Sequence, residues 1–239
     1  MTINDLIELY EAKKRGYGDD AYRHISELLR EAKEKHRKDF LQSNTARRAS
    51  EQGRIPDHEQ SWRAFKGKNL EKLIVHIIQT EIESLGLKIV RGETLERTKG
   101  ENLSKELSQV KRNLSIDYGE FGLHLPDVDI IAYHPKSYKV IAIISSKVTL
   151  RERIAQTGYW KFKLLSDEVT EHIQVYFITP DEDNTLTYKH PAKKGRAIVE
   201  TDIDGSYVMS ETQIEESDKV KMFDKFIKDI KKLIDFNEF

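Results

Sequence analysis

Two apolar segments joined by a short polar turn constrain this chain more than any other feature of its sequence. Residues 128–134 (VDIIAYH) and 140–148 (VIAIISSKV) are rich in β-branched side chains, which is typical of buried strands. The turn-like run Pro135-Lys136-Ser137 connects them and predicts an antiparallel hairpin. Because most other residues of this hairpin are core-like, the sequence favours an α/β architecture in which helices cover the strands.

Helical and extended segments alternate around this hairpin. Three-to-four spacing of apolar residues predicts helices over residues 3–40 (with a break near Gly16 and Gly18), from about 61 to Gly86, 150–166 and 213–235. Short strands are predicted over 87–92 and 172–180, and residues 101–114 fit a polar helix or a loop. The pair Asp204-Gly205 predicts a further hairpin turn.

Composition excludes several classes of protein. Lys and Arg (40) nearly balance Asp and Glu (41), so any DNA-facing surface has to be a local patch. The absence of cysteine excludes disulfide scaffolds, thiolate zinc sites and thiol nucleophiles. No apolar run reaches the roughly 18–20 residues of a membrane span, and no signal-peptide core or GxxxxGK[ST] loop is present. We therefore expect a cytoplasmic protein without a membrane partner or a nucleotide cofactor.

Charged residues gather at the open end of the predicted hairpin. Because side chains alternate along a strand, Asp127 and Asp129 share one face, as do Ser145 and Lys147. A turn centred on Ser137 places Asp127 opposite Lys147 and Asp129 opposite Ser145, whereas a one-residue slip would separate them. Carboxylates of this kind hold Mg²⁺ in phosphodiester hydrolysis, where a nearby Lys orients the attacking water. An ion pair at the end of a half-buried strand pair explains the same residues.

The segment after this hairpin predicts a helix whose first turn carries two cations. Thr149 and Glu152 fit a capping box, which accounts for Glu152 structurally. Arg151 and Arg153 face the positive end of the helix dipole, which is an unfavourable position. Arg suits bidentate contact with guanine and Glu can accept from cytosine, so the triplet fits DNA recognition. A solvated helix end is the alternative.

These motifs together resemble a known family. The residues that carry the resemblance are Pro126-Asp127, Ser145-x-Lys147 and the triplet Arg151-Glu152-Arg153. They are similar to motifs of the PD-(D/E)XK type II restriction endonucleases that cut CCGG and CCNGG sites, such as BsaWI, PspGI and the C-terminal domain of EcoRII. A second resemblance, to the segment that opens the core helix of BsaWI-like enzymes, lies in Ser61-Trp62, Gly67 and Leu70-Glu71.

The resemblance implies a fold, an activity and an assembly. It implies a PD-(D/E)XK restriction-endonuclease-like core over 61–239, with a mixed central sheet flanked by helices and a C-terminal helix. Residues 1–60 would form a helical N-terminal subdomain. The implied enzyme is a homodimeric type II site-specific deoxyribonuclease. It would cut both strands of double-stranded DNA at a short palindromic C:G-containing site in a Mg²⁺-dependent reaction.

The resemblance also implies roles for individual residues. Asp127 would bridge the metal and the scissile phosphate, with Glu71 as the second metal ligand and Asp129 as the alternative. Lys147 would orient the water, Ser145 would shape the pocket, and Arg151, Glu152 and Arg153 would read C:G pairs.

The chain departs from the BsaWI-like enzymes at Asp129, which has no clear counterpart in them, and from some other relatives at a second place. In those relatives a glutamate in the helix after the lysine replaces the lost motif acid, and in this chain Trp160 and Lys161 occupy that place. Two other functions remain compatible with the sequence: a structure-specific or repair nuclease of the same fold, and a catalytically degenerate DNA-binding protein. A plain helical interaction module would bind no DNA at all.

Overall fold

The computed structural model describes residues 1–98, 102–150 and 153–236, with side chains described as far as residue 234. The α-helices of these ranges are α1 (Ile3–Tyr17), α2 (Ile25–Leu41), α3 (Asn44–Glu51), α4 (His58–Ser84), α5 (Gly92–Arg97), α6 (Lys105–Leu114), α7 (Arg153–Leu164), α8 (Lys194–Asp202) and α9 (Phe226–Phe236). The strands are β1 (Lys88–Arg91), β2 (Ile116–Asp117), β3 (Leu123–His124), β4 (Ile130–Tyr133), β5 (Val140–Ser146), β6 (Gln174–Thr179), β7 (Gly205–Val208) and β8 (Val220–Met222).

Six of these strands form one mixed sheet in the order β1-β4-β5-β6-β7-β8. The pairs β1–β4 and β4–β5 are antiparallel, whereas the pairs β5–β6, β6–β7 and β7–β8 are parallel. All residues of β5 are buried, as expected for a strand covered on both faces. The structure therefore confirms the expected mixed central sheet flanked by helices.

The hairpin of β4 and β5 has the predicted register next to its open end. Ile130 pairs with Ile144, which extrapolates to Asp129 opposite Ser145. Nearer the turn, Ala132 pairs with Ala142 but Tyr133 pairs with Val140, so β5 carries one extra residue as a bulge. The bulge lies at the turn end of the hairpin and leaves the register at the open end unchanged.

Helix α4 supplies the long apolar stripe that the sequence predicts. The Asp57 carboxylate accepts a hydrogen bond from the Gln60 N–H at 2.9 Å and caps the helix start. Gly86, with a φ of 79°, follows the last turn and allows the chain to leave the helix. Helices α1 and α2 pack against α4, and their apolar residues belong to the same hydrophobic cluster as the strands of the sheet.

Two predicted elements in the last quarter of the chain are wrong. Asp204-Gly205 does not form a hairpin turn but connects α8 to β7, which is parallel to β6. The predicted helix over 213–235 begins only at Phe226, because residues 220–222 form β8 and complete the sheet beside β7. The spacing of apolar residues in this segment is compatible with a helix or with a strand, and pairing with β7 makes residues 220–222 a strand. Among the described residues, no helix is long and apolar enough to cross a membrane.

Candidate active site

The ends of β4 and β5 bring Asp129 and Lys147 into direct contact. The Lys147 ammonium donates to both carboxylate oxygens of Asp129, at 2.8 and 2.7 Å. The backbone N–H of Ser146 donates to the Asp129 Oδ2 at 2.7 Å. The Asp129 side chain is 15% exposed and that of Lys147 is 30% exposed, so solvent still reaches the pair. The adjacent ends of β4 and β5 thus hold the Asp129 carboxylate and the Lys147 ammonium in a fixed relative position.

Glu71 adds a second carboxylate from helix α4. Its side chain is 15% exposed, and its buried Oε1 makes no hydrogen bond to any residue that the structure describes. Burial and the negative charge of Asp129 raise the pKa of Glu71 to about 7, although the nearby Arg91 guanidinium partly opposes the shift. Arg91 Nη1 lies 3.7 Å from the Glu71 Oε1. The sequence predicted Glu71 as the acid contributed by the core helix, and its charge interacts with that of Asp129.

Gly92 positions the backbone on which Asp129 stands, and the sequence interpretation missed it. Its N–H donates to the Asp129 carbonyl at 2.9 Å, where β1 ends and α5 begins. A Cβ atom at position 92 would lie 1.9 Å from the Val128 carbonyl oxygen. Only glycine allows such a close approach of two backbone segments. A glycine placed directly after a predicted strand is the signal that could have revealed it.

Asp127 lies apart from the contact between Asp129 and Lys147. Its carboxylate accepts a hydrogen bond from the Gln156 side chain at 2.9 Å and lies 3.6 Å from Arg153 Nη1. The sequence placed Asp127 opposite Lys147, but the Lys147 ammonium contacts Asp129 instead. The β4–β5 ladder ends at the pair Ile130 and Ile144, so Asp129 directly precedes the paired residues whereas Asp127 lies two residues further from them. Its role as a metal ligand stays a prediction.

Only one residue of the predicted recognition triplet belongs to the described part of the chain. Arg153 begins α7, is 54% exposed, and donates to the Gln156 side chain at 2.8 Å. Arg151 and Glu152 lie outside the described residues, and so does the capping box that includes Glu152. Arg153 therefore stands at a solvent-facing helix start beside Asp127.

Ser145 is buried between β5 and α7. Its hydroxyl lies 3.3 Å from the hydroxyl of Thr157, which ties the strand to the helix. The adjacent Ser146 hydroxyl is also buried and makes no hydrogen bond among the described residues. Ser145 thus connects the end of β5 to α7 through Thr157. Its role in shaping the pocket remains a prediction.

Lys161 of α7 is a buried residue with a structural role. Its buried ammonium donates to the Ile173 carbonyl at 3.0 Å and lies 2.8 Å from the Asp204 carboxylate. Asp204 also accepts from the Val175 N–H at 2.8 Å. Lys161 therefore joins α7 to β6 and to the start of β7, which is a structural role.

The donor groups of Asp129 and Glu71 fit a magnesium ion. Mg²⁺ is a hard cation that typically takes one or two carboxylates and completes its shell with water and phosphate oxygens. The buried Glu71 Oε1 has no hydrogen-bond partner among the described residues, so it is available as a carboxylate ligand. A cation would also relieve the repulsion between the two carboxylates that raises the pKa of Glu71.

Two named proteins are similar to this chain in sequence. The chain is 38% identical over 212 residues to the type II restriction enzyme MjaVIP of Methanocaldococcus jannaschii, covering 87% of this chain and 92% of that protein. It is 35% identical over 127 residues to the type II restriction enzyme HpyAORF263P of Helicobacter pylori, covering 53% of this chain and 64% of that protein.

Two solved structures share the fold. The restriction endonuclease PspGI in its substrate DNA complex superposes with a TM-score of 0.53 at 15% identity, covering 99% of this chain and 94% of that one. The AgeI–DNA complex gives a TM-score of 0.52 at 15% identity, covering 95% and 91%. The family model for BsaWI restriction endonuclease type 2 matches residues 106–230, which include β4, β5 and α7. Together with the MjaVIP likeness, this match shows that the chain belongs to the BsaWI family of type II restriction endonucleases.

Proposed function

We propose that this restriction endonuclease hydrolyses phosphodiester bonds of double-stranded DNA at Asp129, Glu71 and Lys147, with Mg²⁺ as its cofactor. The observation that carries the proposal is the contact of the Lys147 ammonium with both oxygens of Asp129, beside the buried Glu71 carboxylate. Two acids and one lysine in this arrangement suit a reaction that builds negative charge on a phosphate.

Lys147 has one proton left for the substrate. An ammonium carries three donors, and two of them point to the Asp129 carboxylate. The third can donate to a water molecule or to an oxygen of the scissile phosphate. Lys147 thus holds the attacking water or the phosphate in place, and its positive charge stabilises the transition state.

Asp129 and Glu71 are the two residues that would hold the metal. When bound, Mg²⁺ supplies positive charge to the phosphate and makes water a stronger nucleophile near neutral pH. The bonds from the Lys147 ammonium and the Ser146 N–H fix the orientation of the Asp129 carboxylate. Glu71, on α4, interacts with the charge of Asp129, and its Oε1 has no hydrogen-bond partner within the described part of the chain.

The start of α7 is the surface that we assign to base recognition. Arg153 is exposed there and its guanidinium suits bidentate contact with guanine O6 and N7 in the major groove. Arg151 and Glu152 precede it in sequence and would read the same C:G pairs. Asp127 and Gln156 hold Arg153 in position, which gives Asp127 a role on the DNA-recognition side of the site.

A homodimer completes the proposal. Two copies related by a twofold axis would present two equivalent cleavage sites and two α7 starts to a short palindrome. Light scattering during gel filtration, with and without a DNA duplex, measures this directly. A monomer in both conditions would contradict it.

The test is digestion of a fully sequenced phage DNA by the wild-type protein and by the matched variants Asp129→Asn and Asp127→Asn. We expect discrete fragments with Mg²⁺ whose ends share a short C:G-containing palindrome, and intact DNA with EDTA. Asp129→Asn should abolish cleavage, and Asp127→Asn should retain measurable cleavage. Loss of cleavage in Asp127→Asn with full activity in Asp129→Asn would move the metal to Asp127 and overturn the assignment.

A further inference from the structure

A histidine and two glutamates meet between the N-terminal helices and the loop that follows β7. His24 ends a short 3₁₀ segment (Gly18–His24), Glu27 lies in the first turn of α2, and Glu211 lies between β7 and β8. His24 Nδ1 is 2.9 Å from the Glu211 Oε1 and 3.3 Å from the Glu27 Oε2. One ligand atom from each residue lies within 4.8 Å of the other two.

The His24 ring nitrogen is close to these oxygens without forming a hydrogen bond. Its Nδ1 is inaccessible to solvent and makes no hydrogen bond among the described residues. A buried nitrogen that faces two carboxylates without such a bond leaves a polar group unsatisfied. A metal ion shared by the three atoms would satisfy it, since a metal accepts lone pairs that converge on one point.

The imidazole is held in its orientation by stacking. The Tyr17 ring lies 3.6 Å from the His24 ring, centre to centre, with an angle of 18° between the planes. The stacking partner restrains the plane of the imidazole. Glu211 is 51% exposed, so solvent and ions can enter from its side.

The charge balance of the cluster also favours a cation. Lys13 lies 2.9 Å from the Glu27 Oε2 and 2.7 Å from the Glu31 Oε1, so one ammonium serves two carboxylates. Within the described residues, Glu211 has His24 as its charged partner. The negative charge of the cluster is therefore only partly neutralised. Lys13 can keep its ion pair with Glu31 when Glu27 coordinates a metal.

The distances fit a tetrahedral transition metal. Zn²⁺ binds imidazole nitrogen and carboxylate oxygen at about 2.0–2.2 Å, which puts neighbouring ligand atoms about 3.4 Å apart. The two separations from His24, 2.9 and 3.3 Å, are close to that value. A site with an imidazole ligand suits Zn²⁺, whereas the all-oxygen cleavage site suits Mg²⁺.

We propose that His24, Glu27 and Glu211 bind one Zn²⁺ ion, which fastens the start of α2 to the loop after β7. His24 and Glu27 lie one helical turn apart, whereas Glu211 comes from the C-terminal part of the chain. The ion would therefore cross-link the N-terminal helices to the loop that follows β7. A site of this kind stabilises the folded state, because its ligands are brought together only by folding. It shares no residue with the cleavage site.

The experiment is a calorimetric titration of full-length protein, stripped with EDTA, with Zn²⁺. It compares wild type, His24→Gln, Glu211→Gln and Asp129→Asn, the last of which disables the cleavage site as a competing zinc site. We expect wild type and Asp129→Asn to share one binding event that both His24→Gln and Glu211→Gln lose. At zinc about 100-fold above its Kd, the same two proteins should gain roughly 5–10 °C in Tm.

Each other outcome would overturn the proposal. Equal zinc binding in all four proteins would place the ion elsewhere, and loss of binding in Asp129→Asn alone would place it in the cleavage site. No binding in wild type would leave the cluster as an ion pair only. Glu211 is exposed, so Glu211→Gln is expected to fold normally and keeps the test valid where His24→Gln lowers stability.

Discussion

The ammonium of Lys147 contacts both carboxylate oxygens of Asp129, although the two residues are 18 positions apart in sequence. The contact exists because β4 and β5 pair in one register and end side by side. Asp129 directly precedes β4 and Lys147 directly follows β5, so neither residue is itself part of the β4–β5 ladder. Each orients the other, and the geometry of the proposed cleavage site depends on this mutual contact.

We predict that Lys147→Met lowers the rate of DNA cleavage by about 100-fold or more, because the site loses a positive charge and a donor to the substrate. DNA binding measured by gel shift in Ca²⁺ should persist. Lys136→Met, in the exposed turn of the same hairpin, is the matched control and should cleave like wild type. Wild-type cleavage by Lys147→Met would remove Lys147 from the mechanism.

We predict that Glu71→Gln stabilises the metal-free protein above neutral pH. Burial and the charge of Asp129 raise the pKa of Glu71 to about 7 in the folded state, above the ordinary value of 4.5. Its stabilising contribution is thus complete below pH 4.5 and is lost as the pH rises through 7. The glutamine variant does not ionise, so its advantage should grow over this range and approach about 3 kcal/mol at pH 8 as an upper bound.

Urea unfolding in EDTA at pH 5 and at pH 8 measures this difference. Glu81→Gln, an exposed change on the same helix, is the control and should show no such pH dependence. Glu71→Gln should also cleave DNA poorly, since the metal loses a ligand. Equal stability of Glu71→Gln and wild type at pH 8 would contradict the prediction that ionised Glu71 destabilises the metal-free protein.

We predict that Gly92→Ala impairs cleavage by displacing Asp129. The added Cβ would lie 1.9 Å from the Val128 carbonyl oxygen, so the backbone before β4 has to move. We expect a loss of about 1–3 kcal/mol in the free energy of unfolding and at least a tenfold loss of cleavage. Gly67→Ala on α4 has open space around its Cβ and should instead gain up to about 1 kcal/mol. Wild-type cleavage by Gly92→Ala would show that Asp129 tolerates the shift.

The hairpin and the core helix could be predicted from sequence because their determinants are local. Continuous runs of apolar, largely β-branched residues and a short turn define β4 and β5, and a single apolar stripe ending at Gly86 defines α4. The register of the hairpin followed from the position of the turn, and the bulge at its turn end did not disturb it. Local patterns thus account for the scaffold that carries the site.

Which of Asp127 and Asp129 contacts Lys147 could not be predicted correctly from sequence. Strand alternation puts both on one face, but the contact with Lys147 depends on where the ladder ends and on how Gly92 approaches the backbone. The same limit explains the error at Asp204, where a helix-to-strand connection uses the same residue types as a hairpin turn. These outcomes depend on tertiary contacts.

We predict that Lys161→Met lowers stability but leaves the chemistry intact. The Lys161 ammonium is buried against the Ile173 carbonyl and the Asp204 carboxylate, so its removal leaves a partly buried charge unpaired. We expect a loss of about 3 kcal/mol in the free energy of unfolding. The double variant Lys161→Met/Asp204→Asn should recover part of it, because it also removes the unpaired charge. Cleavage per folded molecule at 25 °C should match wild type, whereas a tenfold fall at unchanged stability would place Lys161 in the cleavage site.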